Sequence, residues 1–131
     1  MFDKLNEQQI KAVKHIDGPC LVIAGAGSGK TKVLTTRIAY LMEQGISDTN
    51  ILAITFTNKA AKEMRERLNV MVPGSRVFVG TFHSFGLKII RENLDCLGMD
   101  KNFTILDSDD VLSLIKKIMK DLGMDIKEIS P

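Results

Sequence analysis

The chain has 131 residues, 18 Lys+Arg against 16 Asp+Glu, and 44% hydrophobic residues, a globular balance too apolar and too evenly charged for a disordered tail. Cys20 and Cys96 belong to no CxxC pair, so neither a disulfide framework nor a zinc site is expected. The N-terminus lacks a signal peptide and the longest apolar run, Cys20 to Ala26, is too short for a bilayer, so a cytoplasmic protein with no membrane partner is expected.

Asn6 is placed to cap a first helix, and Gln9 completes a capping-box pattern ahead of Ile10, Val13 and Ile16. Gly18-Pro19 breaks it. Cys20 to Ala24 is an apolar run without alternation, as expected of a strand covered on both faces. A glycine-rich turn leads into a helix over 30–43, with Val33, Leu34, Ile38, Leu41 and Met42 on its inner stripe. Ile51 to Ile54 reads as a second strand, and a helix follows through Lys59, Met64 and Leu68. After the Pro73-Gly74 turn, Val77 to Val79 is a third strand, then a helix over 84–97 closes at Gly98. Phe103 to Leu106 is a possible fourth strand before a last helix capped by Asp107 or Ser108 and stopping at Gly123. Strands alternating with helices imply an α/β fold, a parallel sheet with helices on both faces.

Charge is uneven along the chain. Residues 59–91 carry seven bases and two acids, while residues 92–131 carry five bases and nine acids. A local polyanion site would account for the basic stretch. So would a solvated helix face, since Lys62, Arg65 and Glu66 stand at helical spacing, and charge alone favours the latter.

The chemistry concentrates in Ala24-Gly25-Ala26-Gly27-Ser28-Gly29-Lys30-Thr31, between the first expected strand and its helix. Gly25, Gly27 and Gly29 let the backbone turn so that successive amides, those of Ala26 and Ser28 included, face a diphosphate at the helix N-terminus. Lys30 supplies a mobile cation for the outer phosphates, and the Thr31 hydroxyl can ligate Mg²⁺. The phosphate-loop pattern wants Gly where this chain has Ala24. A glycine-rich turn serving only close packing is the bland alternative. The strand and helix context with the Gly-Lys-Thr ending argues for nucleoside triphosphate binding.

With three further stretches the chain resembles the UvrD/Rep-type DNA helicases of superfamily 1. They are Leu5 to Gln9, Thr55-Phe56-Thr57-Asn58-Lys59-Ala60-Ala61 and Gly80-Thr81-Phe82-His83-Ser84, in the family's order and at similar spacing. The resemblance implies an incomplete P-loop NTPase (RecA-like) sheet, with residues 1–106 in the first RecA-like ATP-binding domain and 107–131 beginning an inserted helical subdomain. It implies ATP and Mg²⁺ as cofactors, and as partners single-stranded and duplex DNA and the rest of the helicase chain with its second RecA-like domain. Gln9 would then read adenine, a carboxamide offering donor and acceptor together, and its capping role stays equally open. Where the family commonly stacks an Arg on adenine this chain has Lys32, a poorer planar stacker. Phe56 would be a platform for an unpaired base, with Thr57, Asn58 and Lys59 on backbone phosphates; Thr81 and His83 carry the same phosphate reading. Core packing for Phe56 and a structural cap for His83 are the alternatives.

Hydrolysis needs an acid on Mg²⁺, a carboxylate to orient water and an arginine. The family's acids lie in an Asp-Glu motif that nothing here resembles; Asp107-Ser108-Asp109-Asp110 sits where the linker to the inserted subdomain is expected. The expectation is therefore an N-terminal piece of a longer ATP-dependent helicase, binding nucleotide weakly and not turning it over. The alternative is a small P-loop nucleotide kinase or nucleotide-gated binding module. Against a kinase, the chain after Asp100 contains no arginine for a lid.

Overall fold

The computed structural model describes residues 2–124. The chain folds into two compact units, divided after Ile89.

In the first unit, α1 (Glu7–Lys14) starts at Asn6 in a full capping box: the Gln9 amide donates to Asn6 Oδ1 and the Asn6 amide to Gln9 Oε1, both at 2.9 Å. The end of α1 is clamped from α2 (Lys30–Glu43), where the Arg37 guanidinium donates to the Ala12 carbonyl at 2.9 Å, to Val13 at 3.4 Å and to His15. A cation on the last carbonyls satisfies acceptors that the helix leaves open. Phe2 meets the Tyr40 ring edge-on at 5.8 Å, so the N-terminal segment is tied to α2 as well.

Strands β1 (Leu52–Thr55) and β2 (Phe78–Thr81) pair in parallel, Leu52 opposite Phe78 and Thr55 opposite Thr81. Between them runs α3 (Asn58–Met71), whose Ala61, Met64 and Leu68 form a buried stripe at helical spacing. It packs against both strands and against α2, enclosing a core of Ile38, Ile51, Met64, Leu68 and Val79. Arg65 donates to the Val79 carbonyl at 2.8 Å, adding a polar tie from α3 to β2. The turn before β2 is held by Asp48, whose carboxylate accepts from the Arg76 amide at 2.9 Å and from its guanidinium at 3.3 Å. These bonds, the backbone one foremost, hold the Asp48 carboxyl below its ordinary value.

Helix α4 (Phe82–Glu92) follows β2 directly, and the ring of Phe85 lies edge-on to Phe78 at 5.5 Å. In the second unit, α5 (Leu94–Leu97) ends at Gly98, whose φ of 61° gives the left-handed cap. There α6 (Ser108–Asp121) is capped by Asp107, which accepts from the amides of Asp109 and Asp110. Among the described residues no helix is long and apolar enough to cross a membrane.

Four expectations are corrected. Residues 20–24 belong to no strand, and Leu21 and Ile23 are 86% and 90% exposed. A strand exists only with a lateral partner for its backbone groups, and β1 and β2 pair with each other; among the described residues no backbone bond joins them to 20–24. Phe103 to Leu106 is likewise unpaired, so the described sheet has two strands where four were expected. The helix expected over 84–97 begins two residues earlier and is interrupted at Asn93, whose ψ of 26° leaves the helical region. On the inner stripe of α2, Leu34 is also not buried but 47% exposed.

Candidate functional site

Residues 25–29 form a turn that hands the chain to α2. Ser28 closes it, its amide and hydroxyl both donating to the Gly25 carbonyl, at 3.4 and 2.7 Å. Gly27 and Gly29 have φ of 74° and 82°, a region that side chains disfavour, so two of the expected glycines are required by the backbone itself. Gly29 is the N-cap of α2; it has no side chain to cap the first turn, and that turn carries no acid. The opening amides of a 14-residue helix are therefore left to bind an anion.

Lys30 lies across this turn. Its ammonium donates to the Ala24 carbonyl at 3.0 Å and to Gly25 at 2.7 Å, so the cation is held beside the amides that would cradle a phosphate. Thr31 is half-buried, and among the described residues no hydrogen bond engages its hydroxyl. One free hydroxyl suits Mg²⁺, which is commonly held by one or two protein oxygens with substrate phosphates supplying others. Among the described residues no group of three or more His, Cys, Asp or Glu side chains could hold a metal ion.

Gln9 joins α1 to the turn. Its oxygen serves the capping box while its nitrogen donates to the Ser28 carbonyl at 3.0 Å. A β-carbon on Gly29 would come within 3.3 Å of that nitrogen, which makes Gly29 a packing partner as well as a turn residue. A carboxamide has two N–H donors and two oxygen lone pairs, so one of each remains for a base edge. Capping and base reading are compatible in one side chain. Lys32 instead folds back onto the Lys4 carbonyl. A cleft of about 500 Å³ opens beside the turn, lined by Gln9 and Ala12 of α1, Ala24, Ser28, and Lys30 and Arg37 of α2.

A second group gathers at the carboxyl ends of β1 and β2. Phe56 is 96% exposed, so it is not core. Thr57 caps α3, accepting from the Ala60 amide at 3.1 Å, and Asn58 and Lys59 are exposed in its first turn. Thr81 is buried, and its hydroxyl accepts from the Ser84 amide at 3.2 Å while its own amide donates to Ser84 Oγ at 2.8 Å. His83 is exposed in the first turn of α4. The fold thus brings Gln9, Ser28, Gly29 and Lys30 together, and separately Phe56 to Lys59 with Thr81 and His83. Among the described residues no hydrogen bond or ring contact joins the two groups. Arg37 was not expected: it sits 22 residues from the His15 carbonyl, too far for any local sequence signal.

The family described as UvrD/REP helicase N-terminal domain matches residues 5–131. The chain is 53% identical over its whole length to an ATP-dependent DNA helicase PcrA of Bacillus subtilis, of which it covers 18%. It is 47% identical to the PcrA of Staphylococcus aureus, again covering 18%, and 50% identical over 97% of its length to a probable DNA helicase II homolog of Rickettsia conorii, covering 20%. It spans about a fifth of these relatives.

Proposed function

The chain belongs to the UvrD/REP helicase N-terminal domain family, and from that premise we propose that it is the nucleotide-gripping and single-strand-gripping segment of an ATP-driven DNA motor. One observation carries the reading: a lysine ammonium held across a glycine-built turn, beside the side-chain-uncapped amides of a long helix. In this reading residues 1–106 are part of a RecA-like domain and 107–131 open an inserted helical subdomain. Segment 20–24, which belongs to no strand here, meets its lateral partners in the rest of the helicase chain.

The amides of 25–30 wrap the β-phosphate and Lys30 exchanges two neutral carbonyls for anionic phosphate oxygens, a stronger acceptor set. Thr31 would hold Mg²⁺, which would supply charge to offset that of the phosphates, and Gln9 turns its remaining donor and acceptor to adenine. Lys32, without a planar fork, adds charge beside the nucleotide but little stacking. Phe56 stacks under an unpaired base, while Asn58, Lys59 and His83 meet backbone phosphates and the capping residues Thr57 and Thr81 hold the two strand ends in place. In the complete motor, closing and reopening of the cleft between two RecA-like domains turns the ATP cycle into stepping on single-stranded DNA and strand separation. The carboxylates and arginine for hydrolysis come from the rest of that chain.

Binding of a fluorescent single-stranded oligonucleotide across a salt series tests this. The reading predicts binding that weakens as salt rises and that Phe56→Ala weakens about tenfold, the usual size of one lost base–aromatic stack. Binding of nucleotide without any DNA binding would contradict the single-strand grip and leave only the nucleotide grip.

A further inference from the structure

Helix α1 is tied to the rest of its unit at both ends. In its first turn the Gln9 nitrogen donates to the Ser28 carbonyl of the glycine turn at 3.0 Å. In its last turn a single nitrogen of Arg37, Nη1, reaches three carbonyls, those of Ala12, Val13 and His15. Between these ties Val13 is fully buried, four residues after Gln9 and so on the same face of α1. On the α2 side Lys30 and Arg37 stand seven residues apart, which puts both on one face, two turns from each other. Gln9, Lys30 and Arg37 accordingly line the same cleft.

The tie at the far end of α1 exceeds what the helix needs in order to form. Last-turn carbonyls at an open helix end can be served by water, and buried Val13 already supplies the apolar contact. One nitrogen on three carbonyls adds a fixed end point. From His15 back to Gln9 is about 9 Å of helix, so a tilt of about 6° at the pinned end moves Gln9 by about 1 Å. A shift of that size takes a hydrogen bond out of range. The side chain displaced would be the one that keeps a donor and an acceptor for a base edge.

We infer that Arg37 is a positioning residue for base selection: without touching the nucleotide, it holds α1 at the tilt that sets Gln9 against adenine. The inference rests on the nucleotide reading above and adds to it a residue outside the glycine turn. An Arg37 that served only the fold would change the stability of α1 and leave base preference alone.

Calorimetric titration of the 131-residue chain with magnesium-ATP and with magnesium tripolyphosphate, which carries phosphates and no base, tests it. Expected for Arg37→Ala is a loss of affinity of about two- to tenfold for ATP, the worth of one hydrogen bond, and none for tripolyphosphate. Arg37→Lys keeps the charge and shortens the reach; it should lie between the two chains for ATP and match the unsubstituted one for tripolyphosphate. In a Gln9→Ala chain, which has already lost the base contact, Arg37→Ala should cost ATP nothing further, since residues that act through one another are not additive. Equal losses for both ligands, no loss for ATP, or full additivity with Gln9→Ala would overturn positioning by Arg37 and leave the phosphate grip standing. An unsubstituted chain that binds neither ligand would remove the nucleotide reading with it.

Discussion

Replacing Lys30 with Ala is expected to weaken magnesium-ATP binding by about 10- to 100-fold in a calorimetric titration, with little change in thermal stability. The loss of affinity follows from deleting charge-assisted bonds to phosphate, each worth about 1.5–3 kcal/mol. The small effect on stability follows from where the ammonium sits now. Its two bonds go to the exposed carbonyls of Ala24 and Gly25, which water can serve instead. Surface changes of that kind usually stay within about 0.5 kcal/mol. Equal affinity for Lys30→Ala and the unsubstituted chain would show that the turn is a packing device and nothing more.

The largest effect on stability is expected from Met64→Ala. Met64 is 4% exposed and lies among Ile38, Ile51, Leu68 and Val79, where α3 faces α2 and the sheet. Truncating a buried side chain of this size costs about 2–5 kcal/mol, a large share of the roughly 5–15 kcal/mol that holds a typical domain together. Val70→Ala, further along the same helix at 82% exposure, should cost within about 0.5 kcal/mol. Urea unfolding separates the two: the midpoint should fall for Met64→Ala and hold for Val70→Ala, at a similar slope. Coincident midpoints would mean that α3 is not seated on this core. The point bears on function, because the start of α3 carries Thr57, Asn58 and Lys59, and its seating fixes where they stand relative to Phe56.

Which parts of this molecule are readable from sequence follows from how local their causes are. The capping boxes at Asn6 and Asp107, the span of α2 and the left-handed Gly98 each depend on residues within a few positions of one another, and the sequence displays those directly. The run Cys20 to Ala24 looks like a covered strand because its residues are apolar, but cover and pairing must come from elsewhere in space. Leu34 departs for a similar reason: its spacing fits the inner stripe, yet spacing alone does not bury it, and it is 47% exposed. The break at Asn93 is concealed by an apolar pattern that continues through it into Leu94 and Leu97.

The candidate site divides along the same line. Gly27, Gly29 and Lys30 are legible because phosphate cradling is a property of a short consecutive segment. The double duty of Gln9 is only half visible: its bond to Asn6 spans three residues, its bond to Ser28 nineteen. Phe56 is left between core and surface by its sequence, and its exposure decides for surface. Thr81, expected at a phosphate, is a buried cap bonded to Ser84, a pattern that the Thr-x-x-Ser spacing does contain.

The most direct test of the nucleotide claim is a titration of the isotope-labelled chain with magnesium-ATP, following its backbone amide resonances. The amides of Gly27, Gly29, Lys30 and Thr31 should move furthest, and adenosine lacking phosphates should leave them in place. Amides of the turn that stay still while others respond, or that respond equally to adenosine, would contradict a phosphate held by this backbone.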